Sequence, residues 1–174
     1  MRAAVGGHLA VVDLLLEKGA DVNLQTAQGG TALMHASYGG HVQVVRRLLS
    51  SCSPHRSCLS TRLLDAWDGT ALMRAADRGH AEVVQALLDL MPPVDRPYVI
   101  DAQAKYDGYT ALMKAAVNGH AECVQIIASF GASLLVSNAA GKNVLTVARE
   151  AKQLRVLEVL MRLGVRETIN VDEA

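Results

Sequence analysis

One block of about twenty residues recurs along the chain, and recurrence at near-constant spacing constrains a fold more tightly than any local propensity. Its clearest copy runs Gly69-Thr70-Ala71-Leu72-Met73-Arg74-Ala75-Ala76, then Gly79-His80, Val83-Val84 and Leu87-Leu88. Upstream, Thr31-Ala32-Leu33-Met34 is followed by Gly40-His41, Val44-Val45 and Leu48-Leu49. Downstream, Thr110-Ala111-Leu112-Met113 is followed by Gly119-His120 and Val124. The Gly-His pairs begin at Gly7, Gly40, Gly79 and Gly119, at spacings of 33, 39 and 40 residues. Units of this length cannot bury an apolar face alone, so neighbouring copies must stack.

Each copy reads as a helix, a tight turn and a second helix. Thr31, Thr70 and Thr110 stand where an N-cap belongs, and Asn143 holds that place in the last copy. Such side chains accept a hydrogen bond from an orphan amide of the first turn. Gly7, Gly40, Gly79 and Gly119 close the first helix, where a left-handed residue is wanted. Leu33 and Ala36, then Val44, Val45, Leu48 and Leu49, give one buried face per helix.

On these residues the chain resembles the ankyrin repeat, whose family form is Gly-x-Thr-Pro-Leu-His-x-Ala-Ala, then Gly-His, Val-Val, Leu-Leu and Gly-Ala-Asp-Val-Asn. Lys18-Gly19-Ala20-Asp21-Val22-Asn23 matches that ending closely, and Gly131-Ala132-Ser133 in part. The resemblance covers residues 1–164, nearly the whole chain. It implies an all-α solenoid of stacked helix-turn-helix units with projecting finger loops. Alanine at 32, 71 and 111 replaces the family proline at little cost, being the best helix former. Methionine at 34, 73 and 113 replaces the family histidine, removing a Thr–His hydrogen bond that the family often makes; a flexible thioether fills the gap.

The chain has 174 residues, half of them hydrophobic, with 3% aromatic residues and a formal net charge of zero. That balance argues against a general nucleic-acid or membrane-surface binder. No apolar run approaches the ~20 residues of a membrane helix, and the N-terminus lacks a signal peptide's basic-then-apolar order. Three cysteines are too few for a disulfide scaffold, which points to an intracellular, cytoplasmic setting.

The repeats read as residues 1–25, 26–64, 65–104, 105–137 and 138–164, with 165–174 as a tail. Met1 falls where later copies have the Met of Thr-Ala-Leu-Met, so the first copy lacks an N-cap. Its second helix carries Val11, Val12, Leu15 and Leu16 with little polar cover, whereas solenoid ends want a polar cap. Either the chain is a piece of a longer array, or a partner or second copy covers this end. The second and third repeats exceed the standard length by six and seven residues. The first insertion holds Cys52, Pro54, His55 and Cys58; the other holds Pro92, Pro93 and Pro97, which stop a helix and stiffen an extended path. Insertions in repeat arrays often line the binding face, although surface loops also tolerate extra length at small entropic cost. The fifth copy has Lys152-Gln153 in place of Gly-His and charged helices, as a C-terminal cap requires.

Catalytic and metal chemistry have little footing. His8, His41, His80 and His120 hold the same place in successive repeats. Neighbouring helices lie ~8–10 Å apart and metal ligands converge at ~2 Å, so these histidines cannot share an ion and read as turn residues. Cys52, His55 and Cys58 supply three soft ligands without an obvious fourth; a metal- or redox-sensing role is the weakest reading. The chain has no phosphate loop, nucleophile elbow or metalloprotease His pair. No enzyme activity and no cofactor are expected.

Function should lie in residues that vary where the scaffold is constant. The resemblance places one inner-groove column at Arg2, His35, Arg74, Lys114 and Val147, and a second through Tyr38, Asp77-Arg78 and Val117-Asn118. Finger residues include Gln28, Trp67, Tyr106, Asp107 and Tyr109. His35, Tyr38, Trp67, Arg74, Arg78, Tyr106, Tyr109 and Lys114 are therefore the candidate partner-binding residues. Trp, Tyr and Arg dominate interface hot spots because they bury large area and still hydrogen-bond. The expected activity is that of a monomeric protein-protein scaffold or adaptor gripping an acidic or aromatic segment of a partner protein, with no nucleic acid and no membrane. The alternative is a regulatory or targeting segment of a larger enzyme such as a kinase.

Overall fold

In the computed structural model, residues 1–51, 59–66 and 69–164 are described, except for the side chains of 59 and 60. Among them the chain is helical: α1 (Arg2–Val5), α2 (Leu9–Glu17), α3 (Ala32–Tyr38), α4 (Val42–Ser50), α5 (Leu59–Arg62), α6 (Ala71–Arg78), α7 (Ala81–Leu90), α8 (Arg96–Val99), α9 (Ala111–Val117), α10 (Ala121–Ser129), α11 (Val144–Glu150) and α12 (Leu154–Arg162). Ten of these form five pairs. The first helices stack in one layer (α1, α3, α6, α9, α11) and the second helices in another (α2, α4, α7, α10, α12). The core is the seam between the layers. Leu33, Leu72 and Leu112 fill it from one side, and Val45, Val84 and Val124 from the other, all essentially inaccessible.

The caps explain where the inner helices begin. Thr31, Thr70 and Thr110 accept from the amides of Met34, Met73 and Met113 at 3.1–3.2 Å. Asn143 Oδ1 does the same for the Thr146 amide at 3.0 Å. The three threonines are buried, so their hydroxyls satisfy amides that water cannot reach. The methionine that stands for the family histidine does more than fill space: Met34 Sδ accepts from the Thr31 amide at 3.5 Å, closing a capping box with sulfur.

Each pair turns through a left-handed residue. Gly7, Gly40, Gly79 and Gly119 have φ of 69°, 74°, 73° and 79°, and Lys152 takes their place at 56°. The residue after it opens the outer helix and reaches back to the repeat before. His41 Nε2 lies 2.8 Å from the Val5 carbonyl, His80 Nε2 3.0 Å from that of Tyr38, and His120 Nε2 3.1 Å from that of Asp77. Gln153 Nε2 donates to the Val117 carbonyl at 3.0 Å. The histidine column is therefore a ladder that stitches repeat to repeat.

The inserted segments are built into the stack. Helix α5 packs against α8, and Thr61 Oγ1 donates to the fully buried Asp95 at 3.1 Å. Arg62 lies over the Tyr98 ring at 4.2 Å. Met91, Val99 and Ile100 join the core, and Arg96 donates to the Leu88 carbonyl while covering Phe130. The second insertion thus braces the ends of α7 and α10. Cys52, His55 and Cys58 lie outside the described residues. Cys123 is buried, and burial, with the Glu122 charge beside it, pushes its thiol up to about 11. No described helix is long and apolar enough to cross a membrane.

Candidate functional site

The inner helices and the finger loops ahead of them enclose two grooves. One, of about 420 Å³, lies between the second and third repeats and is walled by Gln28, Met34, His35, Tyr38, Asp65 and Arg74. The next, of about 320 Å³, is walled by Met73, Arg74, Asp77, Tyr106, Asp107 and Lys114. Arg74 borders both. Six of the eight sequence-derived residues, His35, Tyr38, Arg74, Tyr106, Lys114 and Tyr109 (through its contact with Lys114), are brought to these walls. Arg78 stands at the rim, its guanidinium 4.9 Å from the Tyr38 ring centre. Trp67 lies outside the described residues.

The charges are not free in the way a bare column of cations suggests. Arg74 grips the buried Asp65 carboxylate with two donors, one of them Nε at 2.8 Å. The other oxygen of Asp65 accepts from the Gly69 amide at 3.0 Å, so the same carboxylate shapes the finger. Lys114 Nζ reaches Asp107 at 2.6 Å, and the Tyr109 amide caps that carboxylate at 2.9 Å. Burial pushes the Asp107 carboxyl up, but the Lys114 and Tyr109 hydrogen bonds and the Lys114 charge outweigh it, leaving it below its usual range. Lys142 and Glu150 form a similar pair in the last repeat at 2.7 Å. Each of these pairs thus ties an inner helix to a finger, with the cation on the helix for Arg74 and Lys114 and on the finger for Lys142. Arg78 has no carboxylate within ion-pair distance among the described residues, and it faces an aromatic ring instead.

The aromatic residues differ in exposure. Tyr106 is 77% exposed and Tyr38 47%, whereas Tyr109 packs against the core under Lys114. His35 lies against Gly30, where an added Cβ would sit 2.9 Å from its Nε2. The fingers are held side by side by groups that sequence reasoning did not pick out. Gln25 Nε2 donates to the Gly29 and Leu64 carbonyls, and Gln103 Nε2 to those of Gly108 and Ser137. Backbone bonds from Ala66 to Gln28 and from Ala139 to Asp107 continue the row. Gln25 and Gln103 stand in equivalent places before their fingers, which is the one signal that could have found them.

The wall so formed is polar at its ties and carries the exposed rings of Tyr38 and Tyr106. Among the described residues, no group of three or more His, Cys, Asp or Glu could hold a metal ion. The family model described as ankyrin repeats (3 copies) matches residues 1–97 and 90–171. The chain belongs to the ankyrin-repeat family. Among curated relatives it is similar to the rice (Oryza sativa subsp. japonica) protein named Probable E3 ubiquitin-protein ligase XBOS33, 62% identical over 47 residues, which are 27% of this chain and 9% of that one. It is also similar to Ankyrin repeat and SAM domain-containing protein 6 of Mus musculus, 51% identical over 29% of this chain and 6% of that one. Ankyrin repeat domain-containing protein 29 of Danio rerio is 52% identical over 27% of this chain and 16% of its own length. The matched stretches therefore span a sixth or less of these relatives. Ankyrin repeats generally mediate protein-protein interaction, and the fold is typically non-catalytic.

Proposed function

We propose that this ankyrin-repeat array is an intracellular adaptor whose concave face and finger row grip a partner protein. The observation that carries this reading is the rim: Tyr38 and Tyr106 stand exposed beside two grooves, with Arg78 stacked on Tyr38. Aromatic rings and arginine supply contact area at low entropic cost and can still hydrogen-bond. His35, Arg74 and Lys114 line the grooves, with Tyr109 against Lys114; Trp67, a finger residue in the sequence reading, lies outside the described residues. A partner segment with an aromatic or apolar residue for a groove and an acidic residue for Arg78 fits best. Affinity capture from native extract tests this, comparing the intact chain with a Tyr38→Ala/Arg78→Ala/Tyr106→Ala variant that melts like the parent. A partner retained by the parent and lost by the variant is the expected result. Equal retention by both removes the concave face from the function.

The second reading, a targeting segment of a larger enzyme, is supported by the relatives named as E3 ubiquitin-protein ligases, of which the matched stretch covers 9% and 11%. An antibody against this chain decides it on a blot of native extract. A single band at the mass of the 174 residues alone would remove that reading.

A further inference from the structure

Thr26 and Asp65 hold the same place in their fingers. Each donates its amide to the carbonyl of the glycine that closes the finger, Gly30 or Gly69. Each also accepts from that glycine's amide, Thr26 Oγ1 at 3.1 Å and Asp65 Oδ1 at 3.0 Å. The side chains laid over these glycines correspond as well. A Cβ added at Gly30 would lie 2.9 Å from His35 Nε2, and one added at Gly69 would lie 2.7 Å from Arg74 Nε. The difference is charge. Asp65 shapes its finger with one oxygen and holds Arg74 with the other. Thr26 has a single side-chain oxygen, which the Gly30 amide takes. His35 therefore stands in the place of a tied cation with no carboxylate beside it, and among the described residues its ring makes no hydrogen bond.

His35 lines the first groove, of about 420 Å³, together with Met34, Tyr38, Asp65 and Arg74. The charges of Arg74 and Asp65 offset each other, and Arg78 at the rim leaves a positive balance. Asp77, beside Arg78 in the chain, is engaged with the following repeat, where its Oδ1 accepts from Asn118 Nδ2 at 3.1 Å. Among the described residues the groove is thus positive with His35 neutral, and more so with the ring protonated.

We propose that the first groove takes an aspartate or glutamate side chain of the partner protein, and that His35 is the residue that receives it. The inference rests on the adaptor reading and adds to it a residue and a chemistry. The partner's carboxylate does for His35 what Asp65 does for Arg74, while Met34 and Tyr38 offer contact to apolar atoms beside it. Unlike arginine and lysine, histidine gains its charge between pH ~5 and ~8. An anion beside the ring favours the charged form, and by reciprocity the charged form favours the anion. Docking at this groove therefore tightens as pH falls through that range.

The probe is the blocked dipeptide N-acetyl-glutamyl-phenylalanine amide, with its glutaminyl analogue as the uncharged control. The ring Cε1–H signals of the six histidines are followed by NMR, and His35 is assigned by the signal lost in His35→Gln. The glutamyl probe should move the His35 signal saturably, raise its titration midpoint, and bind at least ~3-fold tighter at pH ~5.8 than at pH ~8. The glutaminyl analogue should do none of these. Thr26→Asp supplies the carboxylate from the finger itself and keeps an oxygen for the Gly30 amide, as Asp65 does for Gly69. It should melt like the parent, raise the His35 midpoint without any probe, and abolish the probe's effect. An unmoved His35 signal at ~10 mM glutamyl probe overturns the proposal. So does an equal response to the glutaminyl analogue, or a Thr26→Asp chain that binds the probe as the parent does. The two readings fail separately: an unmoved His35 signal beside capture that Tyr38→Ala/Arg78→Ala/Tyr106→Ala abolishes removes this inference alone, whereas undiminished capture by that variant removes the adaptor reading.

Discussion

The ladder makes a prediction that separates backbone strain from contact. Gly40 has φ of 74°, and a Cβ added there would lie 2.8 Å from the His80 ring. Gly40→Ala should therefore cost ~1–2 kcal/mol for the left-handed backbone and ~1–3 kcal/mol for the overlap. His80→Ala removes a hydrogen bond to the Tyr38 carbonyl, ~0.5–1.5 kcal/mol, and the ring's contacts. In the double variant the overlap has nothing to meet. Its cost should fall short of the sum of the single costs by the overlap, ~1–3 kcal/mol. Gly19→Ala is the internal control, with φ of 79° and nothing within 4 Å of the added carbon, so it should show the backbone cost alone. Urea unfolding followed by far-UV circular dichroism measures all four. Additivity within ~0.5 kcal/mol, or a Gly19→Ala cost equal to that of Gly40→Ala, would refute the reasoning.

Leu112→Ala empties a fully buried site between the layers and should cost ~2–5 kcal/mol, seen as a lower urea midpoint at unchanged slope. An unmoved midpoint would place that leucine outside the core. The Asp107 carboxyl, held low, contributes stability that is present above its unfolded value of 3.8 and is lost as pH falls through the folded value. With the carboxylate 43% exposed, solvent screening limits the contribution to ~1 kcal/mol or less. Asp107→Asn should cost that little near neutrality and nothing at pH ~2, and a cost that grows as pH falls would contradict the pairing with Lys114.

What could be read from the sequence was whatever the repeat imposes on every copy. Thr70 must cap, Gly79 must turn left-handed and Leu72 must be buried, because each copy faces the same local problem, and residue type records the solution. The role of His80 could be read as that of a turn residue, and no further. Its acceptor is a backbone carbonyl 42 residues away, and a carbonyl leaves no mark on the sequence. The insertions were equally opaque. Nothing in Thr61 or Asp95 announces a mutual bond across 34 residues.

The column of basic residues shows most clearly where position ceases to imply role. Arg74 and Lys114 line the groove walls, yet their carboxylates stand nine and seven residues earlier, at Asp65 and Asp107. Neither spacing belongs to a helix face, where partners lie three or four residues apart, so the pairing exists only once the finger folds back over the helix. The consequence is chemical. A cation already held by a carboxylate offers a partner little net attraction, and burying it at an interface would desolvate both members of the pair. The ties therefore do their work before any partner arrives, by fixing the fingers that carry Tyr106 and Tyr109. What the wall has left to offer is Arg78 lying on Tyr38, and the exposed ring of Tyr106. Under the proposed adaptor reading, a surface of that kind selects for shape and aromatic contact as well as for the charge of Arg78.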